Sequence, residues 1–289
     1  MPGIKTILTV ASDAASASAP IRTALRVGRA LGAHVEVAHV RPDPAAAVPY
    51  VGEAMAGALV EEMMDAAERD GRHRAEATRA VFDDLVAEEG VPERHAPVAG
   101  DEVSAAWVAL DGGEPEEIAA RGRVCDLIVA GRPLPDRELP SLITLNAALM
   151  EAGRPVLVAP PTPVPEVGGV VAIAWNGAPE AARAVQGALP FLDRADKVIV
   201  LAGEEADVPC GADALVRALA WHGVTAALRP VKGHGGDEVG RAVLTHCDHL
   251  GADLLVMGAY THSRLRQLIL GGVTRHVLDH APLPVLLSH

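Results

Sequence analysis

Aromatic residues are scarce in this chain: three Trp, two Tyr and two Phe among 289 residues. A core with so few rings must be filled by small aliphatic side chains, which suits parallel strands buried beneath alanine-rich helices. Basic charge is also short. Lys and Arg number 25 against 38 Asp and Glu, for a formal net charge of −13. That balance speaks against a nucleic-acid partner, because phosphate binding needs clustered cations. It speaks equally against an anionic membrane surface. The three cysteines, Cys125, Cys210 and Cys247, form no CxxC and no paired spacing. A disulfide framework is not expected, and a reducing compartment fits. No apolar run reaches the roughly 18 residues of a membrane span, and the stretch Met1–Val10 carries no leader signature. The expected location is the cytoplasm.

What the chain does have is a sentence written twice. Asp126-Leu-Ile-Val-Ala-Gly131 is followed by Pro155-Val-Leu-Val158, and Asp253-Leu-Leu-Val-Met-Gly258 by Pro284-Val-Leu-Leu287. Internal repetition on this scale predicts two copies of one domain. Pro160-Pro-Thr-Pro-Val-Pro165 separates them. Its prolines hold it extended, as a semi-rigid spacer. The expected division is 1–160 and 168–289.

Within the first copy, apolar runs at Ile4–Val10, His34–Val40, His95–Ala99, Cys125–Ala130 and Pro155–Ala159 read as strands. Helical patterns fall at Ala19–Leu31, Gly57–Glu89, Pro115–Arg121 and Leu139–Glu151. Residues 42–56, rich in Pro and Ala, read as a loop, and 101–123 as a charged connection around the short helix. The second copy repeats the order. Its strands are Val170–Ala174, Lys197–Leu201, Ala226–Val231, Leu254–Met257 and Pro284–Leu287. Its helices are Pro179–Leu189, Ala212–His222, Asp237–Leu250 and one within Leu265–His280. Strands alternating with helices predict an α/β fold, two doubly wound five-stranded parallel-sheet domains in tandem. The long helix from Gly57 has no counterpart in the second copy. It reads as a crossover packing one stripe on the sheet, or as a Met-bearing groove for an asymmetric partner or an apolar ligand.

In such sheets ligands bind beyond the carboxyl ends of the strands, at the switch in strand order. In the second copy that region is Gly258-Ala-Tyr-Thr261, then Gly271-Gly272-Val273-Thr274 at the start of the last helix. Glycines allow close backbone approach, and a helix N-terminus offers free N–H groups to an anion. These residues and their spacing resemble the universal stress protein family. Its nucleotide-binding members hold the phosphates of ATP on a Gly-x2-Gly-x9-Gly-Ser/Thr loop. Gly258 and Gly271 match the first and third glycines, Thr261 stands for the second, and Gly272 replaces the hydroxyl residue. The resemblance implies an adenine nucleotide alpha hydrolase-like fold with strand order 3-2-1-4-5 in each copy. It implies a non-catalytic stress-response or signalling protein, with ATP or another adenine nucleotide as a ligand that is not required. It also implies an acid at the end of strand one beside the adenosine. Asp13 stands there in the first copy, and Asn176 in the second. Trp175 before it either stacks on a base or fills the pocket.

The first copy keeps the acid without the glycines, since Arg132-Pro133 follows Gly131. The second keeps glycines without the acid. The alternative is therefore a structural interaction module with both sites degenerate. An enzyme acting on a nucleotide would need acidic metal ligands, and Gly258–Arg275 contains neither Asp nor Glu. The sequence holds no Walker lysine and no Ser-His-Asp spacing. His246, Cys247 and His249 are potential metal ligands, but the cysteine should leave the face that the histidines share. His276 and His280 suit a helix C-terminus. Arg264, Arg266 and Arg275 either neutralise a phosphate or are solvated charges, and His234-Gly-Gly reads as a turn. In the family that the chain resembles, single-domain members often dimerise through strand five. Here the two fifth strands are expected to pair within the chain as a pseudo-dimer, leaving a homodimer compatible but not compulsory.

Overall fold

The computed structural model describes residues 3–47, 57–97, 100, 102–134, 136–203, 211–260 and 271–289. In the first half, strands β1 (Thr6–Val10), β2 (His34–Arg41), β3 (Ser104–Asp111), β4 (Leu127–Gly131) and β5 (Val156–Ala159) alternate with helices. Those helices are α1 (Ala14–Leu31), α2 (Gly57–Glu88), α3 (Glu114–Gly122) and α4 (Leu142–Glu151). The second half places β6 (Val170–Trp175), β7 (Lys197–Gly203), β8 (Ala226–Val231), β9 (Leu254–Gly258) and β10 (Val285–Ser288). Between them run α5 (Pro179–Leu192), α6 (Ala212–Trp221), α7 (Gly236–Leu250) and α8 (Gly272–His280).

All ten strands form one sheet, in the order β3-β2-β1-β4-β5-β10-β9-β6-β7-β8. Read inward from either edge, each half is a parallel array of the order 3-2-1-4-5. The arrays meet where β10 lies antiparallel to β5, with Val285 opposite Val158, Leu286 opposite Leu157 and Leu287 opposite Val156. All eight residues of these two strands are buried. Alternation along a strand sends successive side chains to opposite faces. Leu157 and Leu286 join the core layer that holds Ile7, Val35, Ile173 and Val200. Val156, Val158, Val285 and Leu287 join the layer that holds Leu8, Ile128, Leu255 and Ile199. Both layers thus run unbroken through the junction. Each aliphatic side chain so placed contributes about 1.5–3 kcal/mol relative to exposure.

Two expectations need correction. The third strand is Ser104–Asp111, not His95–Ala99. It pairs with β2 over eight residues, and Glu93 makes only an isolated bridge to Ala105. Pro97 lacks the N–H that a ladder needs, whereas Ser104-Ala-Ala-Trp-Val-Ala-Leu carries the apolar pattern. Helix α1 starts at Ala14 rather than Ala19, because Asp13 caps it: its carboxylate accepts from the Ser16 amide at 2.9 Å. Inside the read loop 42–56, Pro44–Ala47 forms a 3-10 turn, and 48–56 lie outside the described residues. Cys125 and Cys247 are buried, and burial pushes their thiols up to about 11 and about 12. Cys210 lies outside the described residues. No helix among the described residues is long and apolar enough to cross a membrane.

Candidate functional site

A cleft of about 680 Å³ opens at the carboxyl ends of β6, β7, β8 and β9. Its size is that of a small-molecule site. Six of the seven residues singled out in the sequence line it: Asn176, Gly258, Gly271, Gly272, Val273 and Thr274. The seventh, Thr261, lies outside the described residues, as do Arg264 and Arg266. Trp175 is half-buried in one wall, so the indole borders an open volume rather than closing it. Arg275 is exposed and pairs along its own helix with Asp279, at 3.9 Å.

The three glycines have different reasons to be there. A Cβ on Gly258 would stand 2.5 Å from the Ala181 amide nitrogen and 2.8 Å from the Glu180 carbonyl carbon. The end of β9 therefore touches the first turn of α5, and Gly258 is needed for that packing. Gly272 faces Gly236: a Cβ on Gly236 would lie 2.5 Å from the Gly272 Cα. One turn on, a Cβ on Gly240 would meet the His276 Cβ at 2.8 Å. These contacts let α7 and α8 start side by side. Gly271 alone has nothing within 4 Å of its Cβ direction among the described residues.

Both helix starts open on the cleft without a side-chain cap: α7 follows Gly235 and α8 follows Gly271. Uncapped N-termini leave backbone N–H groups without helical acceptors and a partial positive charge. The first turn of α8 holds no acid, and that of α7 holds Asp237 and Glu238. Glu238 already accepts from the His234 amide at 2.9 Å. The α8 start is thus the more favourable place for an anion. Lys232, Gly233 and His234 complete the rim. The sequence reads His234-Gly-Gly, which continues this run, as a turn. Its signal was available, because a glycine run between a strand and a helix is the same pattern as the loop after β9.

The rest of the candidate chemistry is committed elsewhere. The Asn176 side chain accepts from the Ala178 amide at 3.1 Å, closing a turn on its own backbone. In the first half, Asp13 is the cap of α1 and also accepts from the Ser16 hydroxyl at 2.5 Å. Gly131, at the position of Gly258, faces Pro140, whose Cγ lies 2.7 Å from where a Cβ would sit. Arg132 next to it reaches the other half, donating to the Ala281 carbonyl at 2.6 Å, and burial lowers its pKa. Cys247 faces the core while His246 and His249 stay outside, and no group of three metal-ligating side chains occurs among the described residues. His276 and His280 stack at 4.4 Å. Tyr260, at φ 64, follows β9, and its hydroxyl donates to Asn146 Oδ1 of α4 across the junction. Burial pushes that phenol up to about 12.

Residues 216–289 match the universal stress protein family. That segment contains α7, β9, α8 and β10, and most of the cleft. Among solved structures, a universal stress protein from Archaeoglobus fulgidus is similar to this chain at 14% identity, with a TM-score of 0.65, covering 98% of this chain and 97% of that one. A functionally unknown protein from Pseudomonas aeruginosa is similar at 17% identity and a TM-score of 0.55, covering 99% and 92%. At such identities the likeness shows the fold. No curated protein matches the chain.

Proposed function

We propose that this chain is a non-catalytic stress-response protein whose second half binds a small anionic ligand, an adenine nucleotide, in the cleft between β6 and β9. The observation that carries this reading is the pair of uncapped helix starts, α7 and α8, packed glycine on glycine at the floor of an open cleft. A phosphate at Gly271–Thr274 would receive backbone N–H groups at the start of α8. A base would find Trp175 on the facing wall. The match of 216–289 to the universal stress protein family supports both the role and the ligand class. Native mass spectrometry of the purified protein, followed by calorimetric titration with ATP, tests it. Gly271→Leu should keep the fold and weaken ATP binding by at least tenfold, because its side chain, with nothing within 4 Å of its Cβ among the described residues, enters the phosphate position. Unchanged affinity in Gly271→Leu refutes the site.

A second reading has its own support. Gly258 and Gly272 are explained by packing alone, and Asp13 and Asn176 are spent on local backbone. Under it the chain is an interaction module without a nucleotide. No copurified small molecule and no heat with ATP would favour it.

A further inference from the structure

Helix α2 buries side chains only in its last turns. They are Thr78, Phe82, Leu85 and Val86, and none of residues 57–77 is buried. The internal repeat marks the same division. Phe82, Val86 and Val91 hold the places of Leu215, Leu219 and Val224, all buried. In each half the valine amide bonds back to the helix across a left-handed glycine, Gly90 or Gly223. On that alignment Arg79 corresponds to Ala212, where α6 begins. Residues 57–77 lie ahead of that point and form an arm, about 30 Å long at 1.5 Å per residue.

The arm is not polar all round. Val60, Met64, Ala67, Gly71 and Ala75 continue, at spacings of three and four, the stripe that Thr78, Phe82 and Leu85 bury lower down. Helix α2 touches α1, β2, β3 and the turn Pro44–Ala47, yet the stripe before Thr78 stays unburied. Leu59 and Met64 are 48% and 36% exposed. A Cβ on Gly71 would meet nothing within 4 Å among the described residues. Helices in water draw most of their stability from packing such a face. The charges of the arm show what fits there. Its outer part is wholly acidic, with Glu61, Glu62, Asp65 and Glu68. Its inner part is mainly basic: Arg69, Arg72 and Arg74, with Asp70 among them. Within the arm, Glu68 pairs with Arg72 at 2.8 Å, and Arg69 turns to the Asp65 carbonyl at 3.1 Å. Glu61, Glu62, Asp65 and Arg74 have no ion pair among the described residues. Glu61 and Asp65, four apart on the helix, repel each other.

We propose that the arm is a self-association surface, on which two copies of this chain pair through residues 57–77 as antiparallel helices. A twofold axis makes such a contact self-complementary. The acidic outer part of each arm then lies along the basic inner part of the other, whereas a parallel pair would set acid on acid. With the axis beside Ala67, Glu61 comes opposite Arg72 and Met63 opposite Gly71. Small residues at the centre let the helix axes approach to about 8 Å.

Sedimentation velocity of the full chain over a concentration series tests this. A monomer–dimer equilibrium is expected, weakened by added salt. Arg69→Glu with Arg72→Glu makes the arm acidic, and Glu61→Lys with Glu62→Lys and Asp65→Lys makes it basic. Each variant alone should associate at least about tenfold more weakly than the parent. An equimolar mixture of the two should recover association, because only unlike arms then attract. None of the changed residues is buried, and thermal melts at dilution check that both variants fold. Ala67→Glu, which sets an acid against its own copy at the axis, is a further variant and should abolish the dimer. A parent that stays monomeric up to about 100 μM overturns the proposal. So does a dimer indifferent to the charge reversals and to Ala67→Glu, or a mixture that associates no better than its components.

Discussion

Replacing Gly258 by alanine tests whether the glycines of the cleft are correctly sorted. The added methyl would sit 2.5 Å from the Ala181 nitrogen, 2.8 Å from the Glu180 carbonyl carbon and 2.9 Å from the Glu180 Cβ. Carbon contacts relax at about 3.5–4.0 Å, so the end of β9 and the first turn of α5 must separate by on the order of 1 Å. Two of the three obstacles are backbone and cannot rotate away. Behind them, Ala181 and Ala184 are packed into the sheet at 2% and 0% exposure. Overpacking of this kind costs about 1–3 kcal/mol. At roughly 2–4 °C per kcal/mol in domains of this size class, Gly258→Ala should melt about 3–10 °C lower. Gly271→Ala is the matched control. Its backbone, at φ −58 and ψ 149, suits any residue, and its Cβ meets nothing within 4 Å among the described residues. That variant should be neutral, or gain about 0.4–1 kcal/mol from a less flexible unfolded chain. Urea denaturation of both proteins gives the comparison, with the slope checked for constancy. If Gly258→Ala is as stable as the parent, or Gly271→Ala loses as much as Gly258→Ala, the assignment of Gly258 to packing and Gly271 to the open cleft is wrong.

Tyr260→Phe should cost about 1–3 kcal/mol, because it strands the buried Asn146 acceptor at the junction; an unchanged urea midpoint would show that the bond holds nothing. Stability should also fall on acidification, in two windows. Burial lowers the His34 pKa below its usual 6.5, although Glu36 nearby raises it and His95 lowers it further. The unfolded chain therefore takes up a proton that the folded one refuses, and stability declines as pH drops through 6.5. For Glu89, burial works against ionisation, but the hydrogen bonds and charges of Arg29 and Arg26 outweigh it and hold its pKa below 4.5. Its contribution is present above 4.5 and lost below. Denaturation of His34→Gln across pH should flatten the first window only.

The fourth and fifth strands of each half were legible because Asp-Leu-Ile-Val and Asp-Leu-Leu-Val are continuous apolar runs, as buried parallel strands must be. The third strand of the first half was not. Ser104–Asp111 is an edge strand, half-exposed along its second part, and its acidic flanks disguise it as a connection. The start of α1 is hard to read from sequence, because an Asp at the end of a strand suits a ligand site as well as the helix cap that Asp13 forms. At the site, the residues after β9 could be picked out by their glycines. Their partner Gly236 could not, since 36 residues separate it from Gly272 and only the adjacency of α7 and α8 brings the two together. That adjacency is a product of strand order, which no local pattern encodes.

The antiparallel seam between β5 and β10 sets which way each half faces. It turns the carboxyl rims of the halves toward opposite margins of the molecule, so neither rim shares a wall with the other. Proline could then stopper one, with Pro140 lodged against Gly131, while the other stayed open beside Gly271. The molecule is thereby polarised, crowded by Pro140 at one carboxyl rim and open on the cleft beside Gly271 at the opposite one.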